Sequence, residues 1–374
     1  MSGTTAWAMG QTVSAAIIAA LAIPAGAIAD QRGRRLLLAG ATTLMILATA
    51  SLWFVQPQPR FQVLAITLIV LGTVSFEIAT VFYNAMLTEI APQGRIGRLS
   101  GLAWGSGYVG GLVCLTLCLA ALINPNPPLF GLSSQAAEPV RATTLFAASW
   151  IALFSWPIIL LAPKVRQSQT WTEALRASVR TLRHALAMAA TRPYLRGFLI
   201  ARMLYTDGLT TLFAFGAIFA AGVFGMNAKN VLLLGIVLNI SAGIGALGFA
   251  LVEDRFGSRT VILAAVLALC LFGTMALLAP SLKLFWAAAI GLGSFVGPAQ
   301  AASRSLMAQI ADPSSRNAMF GLYALSGRIT GFIGPAALGA VTSLTGSQRA
   351  GMAAIVVLLA TGGLILAFTP SRPG

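Results

Sequence analysis

Charge is what this sequence has least of. Only 9% of its 374 residues are charged, and the acidic ones are scarce, with 9 Asp and Glu against 24 Lys and Arg. A chain that is also 57% hydrophobic cannot hide its apolar surface in a soluble core. We therefore interpret it as an integral membrane protein.

Histidine and cysteine are nearly absent too. The single histidine is His184, and the three cysteines, Cys114, Cys118 and Cys270, all lie in apolar runs. We expect no metal site, no disulfide framework and no cofactor. An enzyme would need His, Cys, Ser or acidic groups clustered on one face near an interface, and the sequence offers no such cluster, so we expect no catalysis.

What the sequence does have is a series of uncharged runs of about 20 residues, the length that crosses a bilayer core of about 30 Å. These runs predict an all-α membrane protein with about eleven transmembrane helices. The predicted spans are 9–29, 36–55, 62–87, 99–123, 142–162, 197–220, 231–251, 261–279, 284–307, 318–343 and 350–368.

The basic residues predict an orientation. If the turn after the first span is cytoplasmic, most Lys and Arg fall inside, which places the N-terminus outside and the C-terminus inside. This asymmetry, together with anionic lipid, accounts for the formal charge of +15, so we expect no nucleic-acid partner. We expect a bacterial inner membrane. The five basic residues left outside are Arg60, Arg141, Lys229, Lys283 and Arg349.

The chain repeats itself. "DQRGRR" at 30–35 returns as "DRFGSR" at 254–259, and "EIAPQGRIGRLSG" at 89–101 resembles "QIADPSSRNAMFG" at 309–321. We predict two helical bundles, 1–163 with five spans and 197–374 with six. Between them, 164–196 predicts an amphipathic helix on the inner membrane surface that serves as a connector.

The repeated charged turn predicts a conformational latch. An aspartate at a helix C-terminus is disfavoured by the macrodipole, so Asp30 needs a nearby arginine or the N-terminus of another helix. Glycine allows the backbone to reverse there. One copy alone also fits a plain turn between two helices. The latch residues are Asp30, Gly33, Arg34 and Arg35, and Asp254, Gly257 and Arg259.

At this point a resemblance emerges. "GAIADQRGRR" resembles the signature turn of the major facilitator superfamily. The chain is similar to one branch, the vacuolar amino-acid effluxers linked to fungal autophagy and their bacterial relatives of unassigned substrate. The stretches are "FYNAMLTEIAP", "GRLSGLAWGSGYVGG", "ARMLYTDGLTTLFAFGAIFAAGVFGM" and "GPAQAASRSLMAQIADPSSRNAMFGLYALSGRITGFIGP".

The resemblance implies twelve spans, with the signature turn after the second. Here the turn follows the first span, so the family's opening helix is expected to be missing, through a truncated gene, a mis-set start codon or a true eleven-span variant. Its counterpart in the second bundle carries Tyr205 and Asp207.

The resemblance also implies that the spans at 62–87, 197–220 and 284–307 line a central cavity. On the first, Glu77 and Asn84 belong to one polar stripe at helical spacing, and the repeat offset carries this stripe onto Gln300 and Arg304. Such polar groups can equally serve helix packing. Ionisable groups inside spans usually face a pathway or each other. The predicted substrate and proton pathway is Glu77, Asn84, Tyr205, Asp207, Gln300, Arg304 and Arg328.

These features predict a secondary transporter, a permease of small solutes that works by alternating access. Amino acids are the implied substrate and efflux the implied direction, with protons as a candidate coupling ion and a monomer in the bilayer as the expected state. Glu77 is predicted to alternate between a protonated form and a pair with Arg304 or the substrate amine. The alternatives are a drug or other metabolite exporter, a non-transporting membrane sensor and a truncated inactive copy.

Overall fold

The computed structural model describes residues 3–92, 94–125, 127–133, 136–162 and 171–370. Within them every regular element is helical, as the uncharged runs predicted. The helices are α1 Gly3–Arg32, α2 Arg34–Ser51, α3 Gln62–Ala85, α4 Leu87–Ile90, α5 Ile96–Cys118, α6 Glu138–Leu161, α7 Trp171–Thr191, α8 Pro193–Phe224, α9 Ala228–Phe256, α10 Ser258–Leu278, α11 Leu282–Ile310, α12 Arg316–Ser326, α13 Ile333–Thr345 and α14 Gln348–Phe368.

Ten helical stretches in the described part of the chain are long and apolar enough to cross a membrane. They confirm an all-α protein with many spans. They are Met9–Arg32, Arg34–Phe54, Pro59–Ile90, Ile96–Ile123, Glu138–Leu161, Pro193–Phe224, Lys229–Phe256, Ser258–Leu278, Leu282–Ile310 and Gln348–Phe368.

The remaining predicted span, 318–343, is not one continuous helix. Its residues form α12 and α13, separated by a turn at 327–332. Gly327 and Gly331 lower the helix propensity of this turn, and Pro335 has no N–H to donate to the carbonyl one turn before it. The described residues therefore contain ten helices of membrane-crossing length and hydropathy and one interrupted pair.

The described chain divides into two compact units. Unit 1 contains residues 1–86, 111–185 and 312–325, and unit 2 contains 87–110, 186–311 and 326–374. In unit 1, α3 packs on α1 and α2, and α6 packs on α2. In unit 2, α11 packs between α9 and α10, while α14 packs on α8, α10 and α13. The two bundles expected at 1–163 and 197–374 stay a prediction.

Close helix packing in unit 2 depends on small residues, as in many membrane bundles. A Cβ on Gly297 of α11 would collide with the carbonyl of Ala242 on α9, and one on Gly245 of α9 would collide with the carbonyl of Ser294. The two backbones therefore touch.

The connector is helical from Trp171 to Thr191. The first residues of the predicted segment, 164–170, lie outside the described residues. The surface location of the connector stays a prediction.

Candidate functional site

The first charged turn places Asp30 against the start of another helix. Its Oδ1 accepts hydrogen bonds from the backbone N–H of Asn317 at 2.9 Å and from Asn317 Nδ2 at 2.6 Å, and its Oδ2 accepts one from the N–H of Ala318 at 3.0 Å. Both backbone donors belong to the first turn of α12, where N–H groups have no partner within the helix. Of the partners considered for Asp30, the N-terminus of another helix supplies the backbone hydrogen bonds, and Arg34 adds electrostatic attraction.

The second charged turn repeats this arrangement more weakly. Asp254 Oδ1 accepts one hydrogen bond, from the N–H of Arg98 near the start of α5, at 3.2 Å. Gly33 and Gly257 both have positive φ, 85° and 83°, a conformation that L side chains rarely adopt. Both turns therefore reverse the chain in the same way and present an aspartate to the start of a helix.

The arginines of the two turns do not share one role. Arg34 is buried. Arg259 donates through Nη2 to the carbonyls of Leu366, Ala367 and Thr369, which end α14. Arg259 thus caps a helix C-terminus inside unit 2, where a cation is favourable. A role of Arg259 in the latch stays a prediction. Any such role has to be compatible with this capping contact.

Glu253 was missed by the sequence analysis. It is only 3% exposed and accepts a 2.7 Å hydrogen bond from Ser258 Oγ, while the Ser305 hydroxyl also binds it. Gln309 Nε2 donates to Ser258 Oγ at 3.0 Å, and Arg304 lies near enough for electrostatic attraction. The buried carboxylate therefore belongs to a polar network that joins the ends of α9 and α11 and the start of α10.

Arg304 lies in the same region and is 5% exposed. Its Nη2 donates to the Ser100 carbonyl at 2.7 Å and its Nε to Ser100 Oγ at 3.0 Å. The guanidinium also lies 6.0 Å from the ring centre of Trp104. In this structure the guanidinium is therefore bound to α5, and its predicted pairing with Glu77 stays a prediction.

Two further predicted pathway residues contact side chains on neighbouring helices of unit 2. Tyr205 is 1% exposed, and its hydroxyl shares a 2.7 Å hydrogen bond with Ser303 Oγ of α11. Gln300 Oε1 accepts a long hydrogen bond of 3.5 Å from the Tyr108 hydroxyl of α5. These contacts fit helix packing as well as a solute pathway, as the sequence analysis anticipated for polar groups.

Asp207 and Arg328 lie at the interruption between α12 and α13. Asp207 is 1% exposed, and its Oδ2 accepts a 2.9 Å hydrogen bond from the N–H of Gly334. Arg328 belongs to the turn itself and is half-buried. The interruption that both residues adjoin was not predicted from the sequence.

Glu77 and Asn84 lie on α3 in unit 1. Seven residues, about two helical turns, separate them, so they share one face. Glu77 is half-buried and Asn84 is buried, and both interact with other groups of the protein. Their role in a pathway stays a prediction.

The connector contacts other parts of unit 1. Gln31 Nε2 donates to Thr181 Oγ1 at 2.9 Å, and His184 Nε2 lies 3.8 Å from Asp312 Oδ2, an ion pair when the imidazole is protonated. The N–H and hydroxyl of Ser314 donate to Asp312, and these hydrogen bonds hold the pKa of its carboxyl below the ordinary value. Asp312 therefore stays ionised and available to His184.

Unit 2 also encloses an apolar cavity of about 130 Å³. Helices α8, α9, α10, α11 and α14 line it, and Gly216 and Gly235, which have no atom within 4 Å of an added Cβ, leave space open. Asn239 is the one side-chain amide among the lining residues, and its Nδ2 donates to the carbonyl of Gly235.

Solved structures share this fold. The fucose transporter FucP in its outward conformation superposes with a TM-score of 0.76 at 16% identity, covering 97% of this chain and 90% of that one. The proton:xylose symporter XylE gives a TM-score of 0.75 at 12% identity, covering 99% and 88%. Together with the ten apolar spans, these likenesses show that the described chain has the same helical fold as these two proteins.

Sequence comparisons identify the branch. The family described as "Vacuole effluxer Atg22 like" matches residues 4–95 and 89–374, so the chain belongs to that family. An uncharacterized MFS-type transporter of Bacillus subtilis, YxiO, is 23% identical over 96% of this chain and 83% of its own length. Autophagy-related protein 22 of Cryptococcus neoformans is 25% identical over 70% of this chain and 48% of its own length. The chain thus matches about half the length of that fungal relative.

Proposed function

We propose that this protein exports amino acids across a bacterial inner membrane by alternating access. The observation that carries the proposal is the set of ionisable side chains inside otherwise apolar helices, Glu77, Asp207 and Arg304. Charged groups at such depth are costly and usually serve a pathway or a proton relay. Membership of the vacuole effluxer family supports export.

The coupling ion in this proposal is the proton, and Glu77 carries it. A glutamate on a polar helix face can alternate between a neutral protonated form and an ion pair with a cation. The cation is Arg304 or the substrate amine. The substrate carboxylate pairs with Arg304 or Arg328, since an amino acid brings both charges to the site.

The test uses the full chain in proteoliposomes loaded with a mixture of ¹⁴C-labelled amino acids, with a pH gradient across the membrane. We expect efflux above that of protein-free vesicles, and faster efflux when the gradient is imposed. Glu77→Gln keeps the shape and hydrogen bonding of the side chain but cannot titrate, so it should lose the gradient-driven part. Glu173→Gln, an exposed change on α7, is the matched control.

Two results contradict the proposal. A protein that binds amino acids without releasing any across the membrane is a sensor and not a transporter. If Glu77→Gln transports against the gradient as well as the parent does, Glu77 has a structural role only.

A second candidate is export of an apolar, drug-like molecule, which the apolar cavity of unit 2 favours. Filling the cavity with Gly235→Leu, at a lining position with no atom within 4 Å of the added Cβ, should then abolish efflux of a lipophilic fluorescent dye. Under the amino-acid proposal, the vesicles show no dye efflux above background.

The predicted orientation belongs to this proposal as well. Reporter fusions at both ends of the chain should place the N-terminus outside and the C-terminus inside. If both ends report the same side, the positive-inside interpretation is wrong.

A further inference from the structure

The chain between Arg316 and Thr345 is interrupted in the middle of an apolar segment. α12 ends at Ser326, and α13 begins at Ile333. An interruption leaves the last carbonyls of one helix and the first N–H groups of the next without partners inside their own helix. In a membrane such groups have to be satisfied by protein or trapped water.

Helix α8 places a positively charged side chain at the C-terminal end of α12 and a negatively charged one at the N-terminal end of α13. Arg202 Nη1 donates to Ser326 Oγ at 2.7 Å, at the C-terminal end of α12. Asp207 Oδ2 accepts from the N–H of Gly334 at 2.9 Å, at the N-terminal end of α13. A cation is favourable at a helix C-terminus and an anion at an N-terminus. Five residues on α8 separate the two, roughly 7.5 Å along its axis.

The middle of the interruption is also attached to α8. Thr330 Oγ1 donates to the carbonyl of Met203 at 3.1 Å. Within the turn, the N–H of Gly331 donates to the Arg328 carbonyl and that of Ile333 to the Thr330 carbonyl. The turn therefore has a defined structure that α8 holds at three points.

Position 334 has to be glycine for this arrangement. A Cβ there would collide with Thr211 Oγ1 and would lie 3.0 Å from Thr211 Cβ and 3.1 Å from Asp207 Oδ1. Both side chains are short and buried, so neither can swing away easily. Only glycine lets the backbone N–H approach the carboxylate.

We propose that residues 327–332 are a hinge and that Arg202 and Asp207 are positioning residues that hold it. The two helices have different anchors. The start of α12 is bound by Asp30 of α1, whereas the interruption and the start of α13 are bound by α8. α12 can then pivot during transport while α13 stays on α8.

The test is hydrogen–deuterium exchange of the full chain in lipid nanodiscs, which needs no substrate. In the parent, peptides covering 327–332 should exchange faster than the centre of α10. Asp207→Leu should speed exchange of the 327–336 region at least ten-fold and leave α10 unchanged. Asp207→Asn keeps an acceptor oxygen and should have a smaller effect.

A pair of glycine substitutions provides the matched control. Gly334→Ala should act like Asp207→Leu, since its methyl group separates the N–H from the carboxylate. Gly339→Ala lies in the same helix with no atom within 4 Å of the added Cβ, so it should leave exchange unchanged.

The hinge is overturned if residues 327–332 of the parent exchange as slowly as the centre of α10. The positioning role is overturned if Asp207→Leu leaves the 327–336 region unchanged, or if it speeds exchange throughout unit 2 to the same extent. These outcomes are independent of the proposed function, because a parent that exports no amino acid can still show the predicted exchange pattern.

Discussion

Removing the carboxylate of Asp30 should destabilise the protein more than removing that of Asp254, although the two residues occupy equivalent places in the repeat. Asp30 accepts three hydrogen bonds, two of them from backbone N–H groups in the first turn of α12. Asp254 is exposed and accepts one, at 3.2 Å. Because Asp254 accepts fewer hydrogen bonds than Asp30, a substitution at Asp254 is an internal control for the same substitution at Asp30.

The magnitude follows from the number and burial of these bonds. Replacing a capping residue by alanine costs about 0.5–2 kcal/mol, and hydrogen bonds to charged groups lie at the upper end of the usual range. With three bonds in a half-buried setting, we expect Asp30→Ala to cost about 2–3 kcal/mol. Asp254→Ala should cost less than about 1 kcal/mol, because its single bond is long and solvated.

The assay is the apparent Tm of the purified protein in detergent, measured at one fixed scan rate because unfolding of a large chain is often irreversible. For a chain of this size, 1 kcal/mol corresponds to about 2 °C. Asp30→Ala should therefore lower the apparent Tm by about 5 °C and Asp254→Ala by less than about 2 °C. Equal shifts for the two variants would refute the reasoning from hydrogen-bond number.

Two other substitutions test the polar contacts of unit 2. Arg349 donates to the carbonyls of Leu277 and Ala279 at the end of α10. Arg349→Met should therefore lower the apparent Tm by about 3 °C, and Arg349→Lys should retain part of the stability. A Met variant as stable as the parent would contradict this prediction. Glu253→Leu leaves the Ser258 hydroxyl without its buried acceptor and should cost about 1–3 kcal/mol, whereas Glu253→Gln keeps an acceptor; equal apparent Tm values for the two variants would count against the network.

The spans could be predicted from the sequence because bilayer thickness fixes their length, whatever surrounds them. The interruption at 327–332 could not. Its turn contains apolar residues and glycines that keep the average hydropathy of the segment high, and the groups that hold it open, Arg202 and Asp207, are more than a hundred positions away. A break of this kind depends on tertiary partners, which hydropathy does not report.

Glu253 was missed for a different reason. The alignment of the two charged turns places Ala29 opposite Glu253 and Arg34 opposite Ser258, so the comparison directed attention to the shared Asp30 and Asp254. The structure shows that Glu253 and Ser258 bind each other. Both positions of this pair differ between the two copies of the turn, and in the second copy the two residues are in direct contact. This paired difference was therefore a signal from which the contact could have been predicted.

The repeat also explains two of the basic residues that the positive-inside rule leaves on the wrong side. Arg141, near the start of α6, donates to the carbonyl of Trp53 in the turn that follows α2, and its guanidinium lies 4.7 Å from the centre of that indole. Arg349, near the start of α14, donates to the carbonyls at the end of α10 and lies 5.4 Å from the ring of Phe224.

Each of these arginines thus caps the C-terminal end of the helix that follows a charged turn, in its own unit and against an aromatic ring. A guanidinium engaged by carbonyls and an aromatic face is poorly available to lipid headgroups, so its place in the sequence reflects helix capping and not orientation. Setting Arg141 and Arg349 aside leaves Arg60, Lys229 and Lys283 as the basic residues opposed to the predicted orientation. Arg259, which is counted on the inside, caps the end of α14 in the same way, so capping removes arginines from both sides of the count and the orientation stays a prediction.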